Sequence, residues 1–235
     1  MKYKAVLFDL DGTLLPMDQD AFTKGYFGLL AKTMTKYGYH SEQLLSGIIA
    51  GTKAMVKNDG SMTNEKRFWS TFTSVMNQDV MKDIEHFNDF YQNEFQSLVQ
   101  YCCPTPMAKE VIDYLKQDHV RLLLATNPLF PTIATHSRIH WTGLEVSDFE
   151  IVTTYDMIGT CKPNVEYYKE ILNRVELKPE DCLMVGNDMN EDMVVSQIGI
   201  DTYLLTDCLI NRDGKDITQF KNGDFKSLLE YLKTC

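Results

Sequence analysis

Two aspartates near the N-terminus, Asp9 and Asp11, are the residues of this chain best placed to do chemistry. They lie in Phe8-Asp9-Leu10-Asp11-Gly12-Thr13, directly after the apolar run of residues 3–7. Successive side chains of a strand point to opposite faces, so a regular strand would leave both carboxylates on one side. Such a pair suits nucleophilic and acid/base chemistry, or a hard metal ion with oxygen ligands. Two ordinary aspartates at a solvated turn are the alternative, since Asp and Gly are common turn residues.

The composition narrows the class of protein. The chain has 235 residues, of which 44% are hydrophobic and 24% charged, enough for one large domain or one domain with an insertion. A formal net charge of -10 argues against a nucleic-acid partner, although a local lysine and a divalent cation still permit a phosphate substrate. There is no basic and apolar leader and no long apolar run, so we expect a cytoplasmic protein without a membrane partner. The six scattered cysteines include no CxxC and predict free thiols.

The hydrophobic pattern divides the chain into three blocks. Residues 3–9 predict a buried strand, and residues 17–100 show helical spacing near 19–37, 41–57, 63–77 and 80–98. After Pro106 the pattern alternates, with strands predicted at 120–125, 149–153, 182–185 and 202–205 and helices at 107–117, 131–140, 164–175, 190–198 and 225–232.

Alternating strands and helices predict an α/β fold, a Rossmann-like doubly wound parallel sheet. The first strand must join the same sheet, so the helical block is an inserted cap. We therefore expect a core domain of residues 1–16 and 103–235 and a helical cap domain of residues 17–102, joined by natural hinges.

Ligands of open α/β sheets bind at the carboxyl ends of the strands, where three further segments carry polar groups. Thr126 and Asn127 follow the second strand, Lys162-Pro163 follows the third, and an acidic loop containing Asp188 and Asp192 follows the fourth. Each segment alone has an ordinary explanation as a turn, a solvated lysine or an acidic helix cap. Their joint placement at four strand ends indicates a single site.

These residues, in this order, resemble the haloacid dehalogenase-like hydrolase superfamily. The resemblance covers residues 3 to about 205 and rests on four motifs: Asp9-x-Asp11-Gly12-Thr13, Thr126, Lys162-Pro163, and Gly186-Asn187-Asp188 with Asp192. A long helical insertion between the first two motifs looks like the cap of the subgroup that contains phosphoglycolate phosphatase and β-phosphoglucomutase.

The resemblance implies a phosphatase that hydrolyses a small phosphorylated metabolite through an aspartyl phosphate. It implies Asp9 as nucleophile, Asp11 as acid/base, and Thr126 and Lys162 as catalytic groups that contact the phosphoryl group and its charge. Asn127 is a further candidate substrate contact. The implied cofactor is Mg²⁺, held by Asp9, the backbone carbonyl of Asp11 and Asp188, with Asp192 assisting directly or by orienting the metal shell or Lys162.

Several alternatives stay open at this point. Many relatives have Gly-Asp at the fourth motif, so either Asn187 or Asp188 could be its main metal ligand, and a carboxylate suits Mg²⁺ better than an amide. Asp11 favours phosphoryl transfer over dehalogenation. A phosphomutase, a non-catalytic binding module, and a monomeric or homodimeric state are not decided. Candidate substrate contacts on the cap and its linker are Lys53, Lys57, Arg67, Trp69 and residues 16–18, with a solvated surface or simple packing as the competing explanation.

Overall fold

A parallel sheet of six strands forms the centre of the molecule in the computed structural model, which describes residues 2–235. The strands are β1 (Ala5–Phe8), β2 (Arg121–Leu124), β3 (Ile151–Val152), β4 (Cys182–Gly186), β5 (Asp201–Leu205) and β6 (Lys221–Gly223). Their order is β3-β2-β1-β4-β5-β6. Phe8 of β1 is level with Leu124 on one side and Val185 on the other. The carboxyl ends of these three strands therefore lie side by side.

Helices cover both faces of the sheet, as a doubly wound fold requires. They are α5 (Pro106–Gln117), α6 (Thr132–Trp141), α7 (Val165–Arg174) and α8 (Phe225–Lys233). Val6 and Phe8 of β1 belong to the apolar cluster that contains α5, α6 and α8, whereas Ala5 and Leu7 belong to the cluster that contains α7. Because both faces are buried there, the central strands β1, β2 and β4 are nearly continuous apolar runs. The predicted fold class is confirmed.

The cap consists of the helices inserted between β1 and β2. They are α1 (Gln19–Thr35), α2 (Ser41–Val56), α3 (Asn64–Met76), α4 (Ile84–Gln92) and a 3₁₀ helix, Glu94–Tyr101. Asp18 caps α1 by accepting a hydrogen bond from Ala21 N at 2.9 Å, and Thr63 caps α3. The interior of the cap is rich in buried phenylalanine, including Phe22, Phe72, Phe87, Phe90 and Phe95.

The two crossings between core and cap run next to each other. Met17 forms an antiparallel bridge with Cys102, and Cys103 N donates to Pro16 O at 2.7 Å. A paired two-strand crossing is a natural place for a hinge. The division into a core domain of residues 1–16 and 103–235 and a cap of residues 17–102 stays a prediction.

One local expectation was wrong, and one strand was not predicted. Residues 80–98 do not form one helix, because the chain breaks at Asn93 between α4 and the following 3₁₀ helix. The Asn93 amide donates to Asp89 O at 2.9 Å, the kind of side-chain bond that competes with helix continuation. The edge strand β6 was not predicted, since its sequence Lys-Asn-Gly has no apolar signal and it depends on pairing with β5.

Candidate active site

The carboxyl edge of the sheet brings the four predicted segments to one cavity. Asp9 follows the last residue of β1, and Thr126 and Asn187 emerge from the neighbouring strands β2 and β4. Asp9, Asp11, Thr126 and Asp188 all line this cavity, which has a volume of about 300 Å³. Lys162 is buried behind it and reaches Asp9.

Lys162 links two carboxylates of the site. Its Nζ donates to Asp9 Oδ1 at 2.7 Å and to Asp192 Oδ1 at 2.6 Å, and only 1% of the lysine is exposed. Burial acts to lower the pKa of Lys162, but the charges of Asp192 and Asp9 outweigh it and hold this pKa well above its usual range. Burial raises the pKa of Asp9, and the Lys162 ammonium opposes that rise. The pairing fixes one oxygen of Asp9, while Oδ2 accepts no hydrogen bond from residues 2–235.

Asp11 faces a different partner from Asp9. The strand ends at Phe8, and Leu10 O instead accepts turn hydrogen bonds from Thr13 N and Leu15 N at 3.1 and 2.8 Å. The expectation that Asp9 and Asp11 belong to one regular strand was therefore wrong, because a turn connects them. Both carboxylates nevertheless line the same cavity. Asp11 pairs with Arg138 of α6, from the layer opposite to α7.

Arg138 is a site residue that sequence reasoning missed. Its side chain is 1% exposed, and its guanidinium donates to Ala134 O, to Thr135 Oγ1 and to Asp11 Oδ2. The guanidinium carbon also lies 4.4 Å from the centre of the Phe130 ring. The sequence did contain one sign of this role. Arg138 lies one helical turn after Ala134 and next to Ile139, and both of these apolar residues are buried in α6. A charged residue on a buried stripe needs a partner of opposite charge.

The fourth-motif loop separates the roles of Asn187 and Asp188. Asn187 donates through Nδ2 to Cys208 O at 2.6 Å and accepts from Thr13 Oγ1 at 3.0 Å, so its amide is committed to holding loops together. Asp188 Oδ1 accepts from Asn190 N and Glu191 N at 2.7 and 3.0 Å. Within residues 2–235, its second oxygen accepts no hydrogen bond. The arrangement favours Asp188 as the metal ligand.

Asp192 is committed to positioning other groups. One oxygen accepts from Lys162 and the other from Asp188 N at 2.9 Å. Burial raises the pKa of Asp192 to about 6. Of the two roles expected for Asp192, direct metal binding and orientation of the metal shell or Lys162, these contacts favour the second and leave little capacity for the first.

The donor set suits Mg²⁺. No group of three His, Cys, Asp or Glu side chains converges as a metal cage within residues 2–235. Mg²⁺ does not need such a cage, because it keeps several waters and uses one or two carboxylates plus a substrate phosphate. The carboxylates of Asp9 and Asp188 and the carbonyl of Asp11 provide that set of hard oxygen ligands. The Asp11 carbonyl also accepts a 3.3 Å hydrogen bond from Gln19 Nε2.

Thr126 and Asn127 differ in what they offer to a substrate. The backbone carbonyl of Thr126 accepts from Thr153 Oγ1 and Tyr167 OH, both at 2.7 Å, which fixes the residue. Its hydroxyl has no hydrogen-bond partner among residues 2–235. The Asn127 amide instead donates to Glu191 at 2.9 Å, and its Oδ1 is buried without a partner. Burial raises the pKa of Glu191 to about 7, and this carboxyl also lines the cavity. Glu191 lies in the acidic loop but is not among the site residues that the sequence predicts.

The rest of the cavity is walled by aromatic side chains from the cap and the core. We call these walls the aromatic chamber: Phe22, Phe27, Phe68, Trp69, Phe130 and Tyr155. Met17 of the linker and Trp69 line the cavity as expected for substrate contacts.

Lys53 and Arg67 do not line the cavity, so their prediction as substrate contacts is not supported. Lys53 is exposed on α2, as is the neighbouring Lys57. Arg67 donates to Asn58 Oδ1 and Ser61 Oγ, both at 3.3 Å. Helical spacing alone could not tell which face of each helix meets the core.

None of the helices in residues 2–235 is both long and apolar enough to cross a bilayer.

Residues 3–195 match the model of a protein family described as haloacid dehalogenase-like hydrolase.

Individual proteins with similar sequences or folds include phosphatases and a dehalogenase. A glyceraldehyde 3-phosphate phosphatase of Methanothermobacter thermautotrophicus is 27% identical, covering 97% of this chain and 99% of the relative. The pyrophosphatase PpaX of Bacillus thuringiensis is 26% identical over 84% of this chain and 80% of its own. The crystal structure of a 2-haloacid dehalogenase from Pseudomonas syringae superimposes with a TM-score of 0.65 at 15% identity, covering 99% of both chains. At this identity the superposition shows the fold alone.

Proposed function

Because the chain belongs to the haloacid dehalogenase-like hydrolase family, we propose that it is a Mg²⁺-dependent phosphatase acting on a small phosphomonoester through an aspartyl phosphate. The observation that carries the proposal is the position of Asp9 and Asp11 on one cavity with different partners, Lys162 for the first and Arg138 for the second. The site thus contains two carboxylates in two distinct electrostatic environments, which suits a nucleophile and a separate acid/base.

The first half-reaction forms the covalent intermediate. Asp9 Oδ2 attacks phosphorus, forming an acyl phosphate as the bond to the leaving oxygen breaks. In this step Asp11 carries a proton on Oδ1, the oxygen that Arg138 does not contact, and donates it to the leaving oxygen, so the product leaves as a neutral alcohol. Thr126 donates its hydroxyl hydrogen bond to a phosphoryl oxygen, and Lys162 balances the negative charge around Asp9.

The second half-reaction returns the enzyme to its starting state. Asp11, now ionised, takes a proton from a water molecule as that water attacks the phosphorus, and inorganic phosphate leaves Asp9. When bound to Asp9, Asp188 and the Asp11 carbonyl, Mg²⁺ would neutralise charge that gathers on the phosphoryl oxygens. Electrostatic stabilisation of this kind is the main contribution expected for phosphoryl transfer.

Asp11 also distinguishes phosphoryl transfer from dehalogenation, because an attack on carbon with a halide leaving group needs no proton donor for that group.

The named activities of the relatives support a phosphatase but do not identify one substrate. Their named activities concern glyceraldehyde 3-phosphate and pyrophosphate, which share only the phosphoryl group. A phosphomutase would need a second set of phosphate-binding groups. Lys53 and Arg67, the cap cations predicted as substrate contacts, lie off the cavity.

The test is a phosphatase assay on a panel of phosphomonoesters with and without Mg²⁺, using the native chain, Asp9→Asn and Asp11→Asn. We expect Mg²⁺-dependent release of phosphate by the native chain and a loss of at least about 10²-fold in kcat for Asp11→Asn. Turnover of any ester by Asp9→Asn at the native rate would show that Asp9 is not the nucleophile. The exposed Asp118→Asn, at the far end of α5, is a matched control that should retain full activity.

A further inference from the structure

The cavity has two chemically different ends. Its polar end contains Asp9, Asp11, Thr126 and Asp188, where the phosphoryl group would bind. Its other end is the aromatic chamber, to which the cap contributes Phe22 and Phe27 from α1 and Phe68 and Trp69 from α3. A substrate bound by its phosphate would therefore extend its alcohol portion toward aromatic rings.

The polar atoms of the aromatic walls are paired with each other, and the cap adds only Gln19, Thr23 and Thr52 as further polar side chains on the cavity. Tyr26 and Tyr91, which also line the cavity, share a 2.8 Å hydrogen bond between their hydroxyls. The Trp69 indole Nε1 donates to Tyr155 OH at 3.5 Å. A hydroxylated sugar placed here would lose hydrogen bonds to water and gain few in return, which is unfavourable.

The chamber also lacks a cation for a second phosphate. Among residues 2–235, Arg212 is the only lysine or arginine that lines the cavity. Arg212 follows Ile210, whose backbone N donates to Asn187 O at 2.8 Å and whose carbonyl accepts from Met189 N at 3.0 Å. The backbone next to Arg212 is therefore held against the fourth-motif loop, at the polar end. The aromatic end suits an uncharged group.

Ring-to-ring and cap-to-core contacts hold the chamber in shape. Trp69 packs at 5.2 Å from Phe68 and 5.4 Å from Phe87, and Phe130 lies 5.3 Å from Tyr26, measured between ring centres. The N-terminus of α3 is docked on the core, since the buried Asn64 amide donates to Thr160 O and Pro128 O at 3.2 and 3.3 Å. Rigid aromatic walls bind a ring at low entropic cost.

We infer that the substrate is a phosphate monoester whose alcohol carries an aromatic or similarly flat apolar ring system. The inference rests on the proposed function and narrows its substrate class. A volume of about 300 Å³ is at the lower end for ligand pockets, so a small ring system is expected. Aromatic contacts with the chamber, together with water displaced from partly exposed rings such as Phe27 and Trp69, favour this class over polyol phosphates.

The test compares 2-phenylethyl phosphate with glycerol 3-phosphate in the presence of Mg²⁺. Both are esters of primary alcohols, so the leaving groups are chemically similar and the comparison reports the alcohol portion. We expect kcat/KM to favour the phenyl ester by at least about 10-fold, the scale of discrimination that an apolar pocket provides. Equal or faster hydrolysis of glycerol 3-phosphate would overturn the inference while leaving the proposed function intact.

Two variants locate the preference in the chamber. Trp69→Ala should reduce the ratio of the two kcat/KM values by about 10-fold, because an apolar wall of the pocket is removed. Tyr37→Ala, which removes an exposed cap aromatic stacked on His86 away from the cavity, should keep the native ratio. Thermal unfolding checks that both variants fold. A native ratio in folded Trp69→Ala would contradict the assignment of the chamber.

If neither ester is hydrolysed, the wider panel of phosphomonoesters decides the proposed function, and a binding experiment decides the inference. Trp69 lines the cavity whereas Trp141 does not, so Trp141→Phe leaves a single tryptophan that reports on the chamber. The probes are 3-phenylpropylphosphonate and 3,4-dihydroxybutylphosphonate, unreactive isosteres of the two esters. A saturable fluorescence change with tighter binding of the phenyl probe supports the inference. Equal affinities, or no binding of the phenyl probe, overturn it.

Discussion

Arg138 and Asp11 form an ion pair across 127 positions of the chain, and the arginine side chain is almost wholly buried. Asp11 is the proposed acid/base, while Arg138 also contacts Thr135 and Phe130. The same helix layer that packs against the sheet therefore fixes the orientation of the Asp11 carboxylate. One oxygen, Oδ1, is left buried without a protein hydrogen bond, available to exchange a proton with substrate.

Arg138 should act as a positioning residue. Arg138→Met removes the partner of Asp11, so we expect kcat to fall by about 10- to 100-fold with little change in KM, by analogy with the loss of groups that orient reacting residues. Arg138→Lys should recover part of kcat, because it keeps the charge but not the guanidinium fork. Steady-state kinetics measure both. A rise in KM with unchanged kcat would assign Arg138 to substrate binding instead.

The same variant should destabilise the fold. Removing one member of a fully buried pair costs about 3–5 kcal/mol. The loss here should be smaller, since the Asp11 side chain keeps 25% of its surface exposed. Urea denaturation of Arg138→Met measures the free energy of unfolding, and no loss would show that the pair is not formed in solution.

Asp188 should determine how tightly the active site binds Mg²⁺. EDTA should abolish phosphatase activity and added Mg²⁺ should restore it. Asp188→Asn should raise the Mg²⁺ concentration for half-maximal activity by at least about 10-fold, since it removes a charged oxygen ligand. Asn187→Ala breaks bonds to Cys208 and Thr13 and should lower stability more than Mg²⁺ affinity. The reverse pattern would make Asn187 the ligand.

Gly12 is required for two physical reasons that can be separated. It has a φ of 83°, and a Cβ there would lie 2.3 Å from Asn187 Nδ2. Gly143 has a similar φ of 79° with nothing within 4 Å of a Cβ, so Gly143→Ala measures the backbone strain alone, about 1–2 kcal/mol. Gly12→Ala should cost more than this in urea denaturation. Equal losses would show that the neighbouring Asn187 moves aside without cost.

Asp192 should act through Lys162. Both of its oxygens are engaged, by Lys162 Nζ and Asp188 N. Asp192→Asn should lower kcat by about 10- to 100-fold, the scale found for groups that orient metal ligands. The exposed Asp118→Asn should change neither kcat nor the Mg²⁺ requirement. Native kinetics in Asp192→Asn would mean that Lys162 needs only Asp9 to stay in place.

The sheet and most helices could be predicted because local sequence carries their signal. The strands β1, β2 and β4 are buried on both faces and appear as continuous apolar runs, and Thr63 and Asp18 cap helices in the structure. The edge strand β6 could not be predicted, since it has no hydrophobic pattern and its pairing depends on β5.

Site residues that directly follow a strand could be predicted from the sequence. Residues on helices were harder to predict, because the rotation of the helix determines whether a side chain faces the cavity. Asp9, Thr126 and Asp188 lie on the cavity because the strand ends are level. The rotation of each cap helix is set by packing, so Lys53 was predicted on the cavity but lies outside it. Arg138 lies 127 positions from its partner, a distance that no local pattern reports.

The most direct test of the mechanism is to detect a phosphoryl group on Asp9. The enzyme is mixed with a substrate and Mg²⁺, quenched in acid within the first turnovers, digested and analysed by mass spectrometry. The mechanism predicts a phosphorylated peptide containing Asp9 that is absent from Asp9→Asn and accumulates in Asp11→Asn if hydrolysis of the intermediate slows more than its formation. Rapid native turnover with no phosphorylated Asp9 peptide, or with the phosphoryl group on another residue, would contradict it.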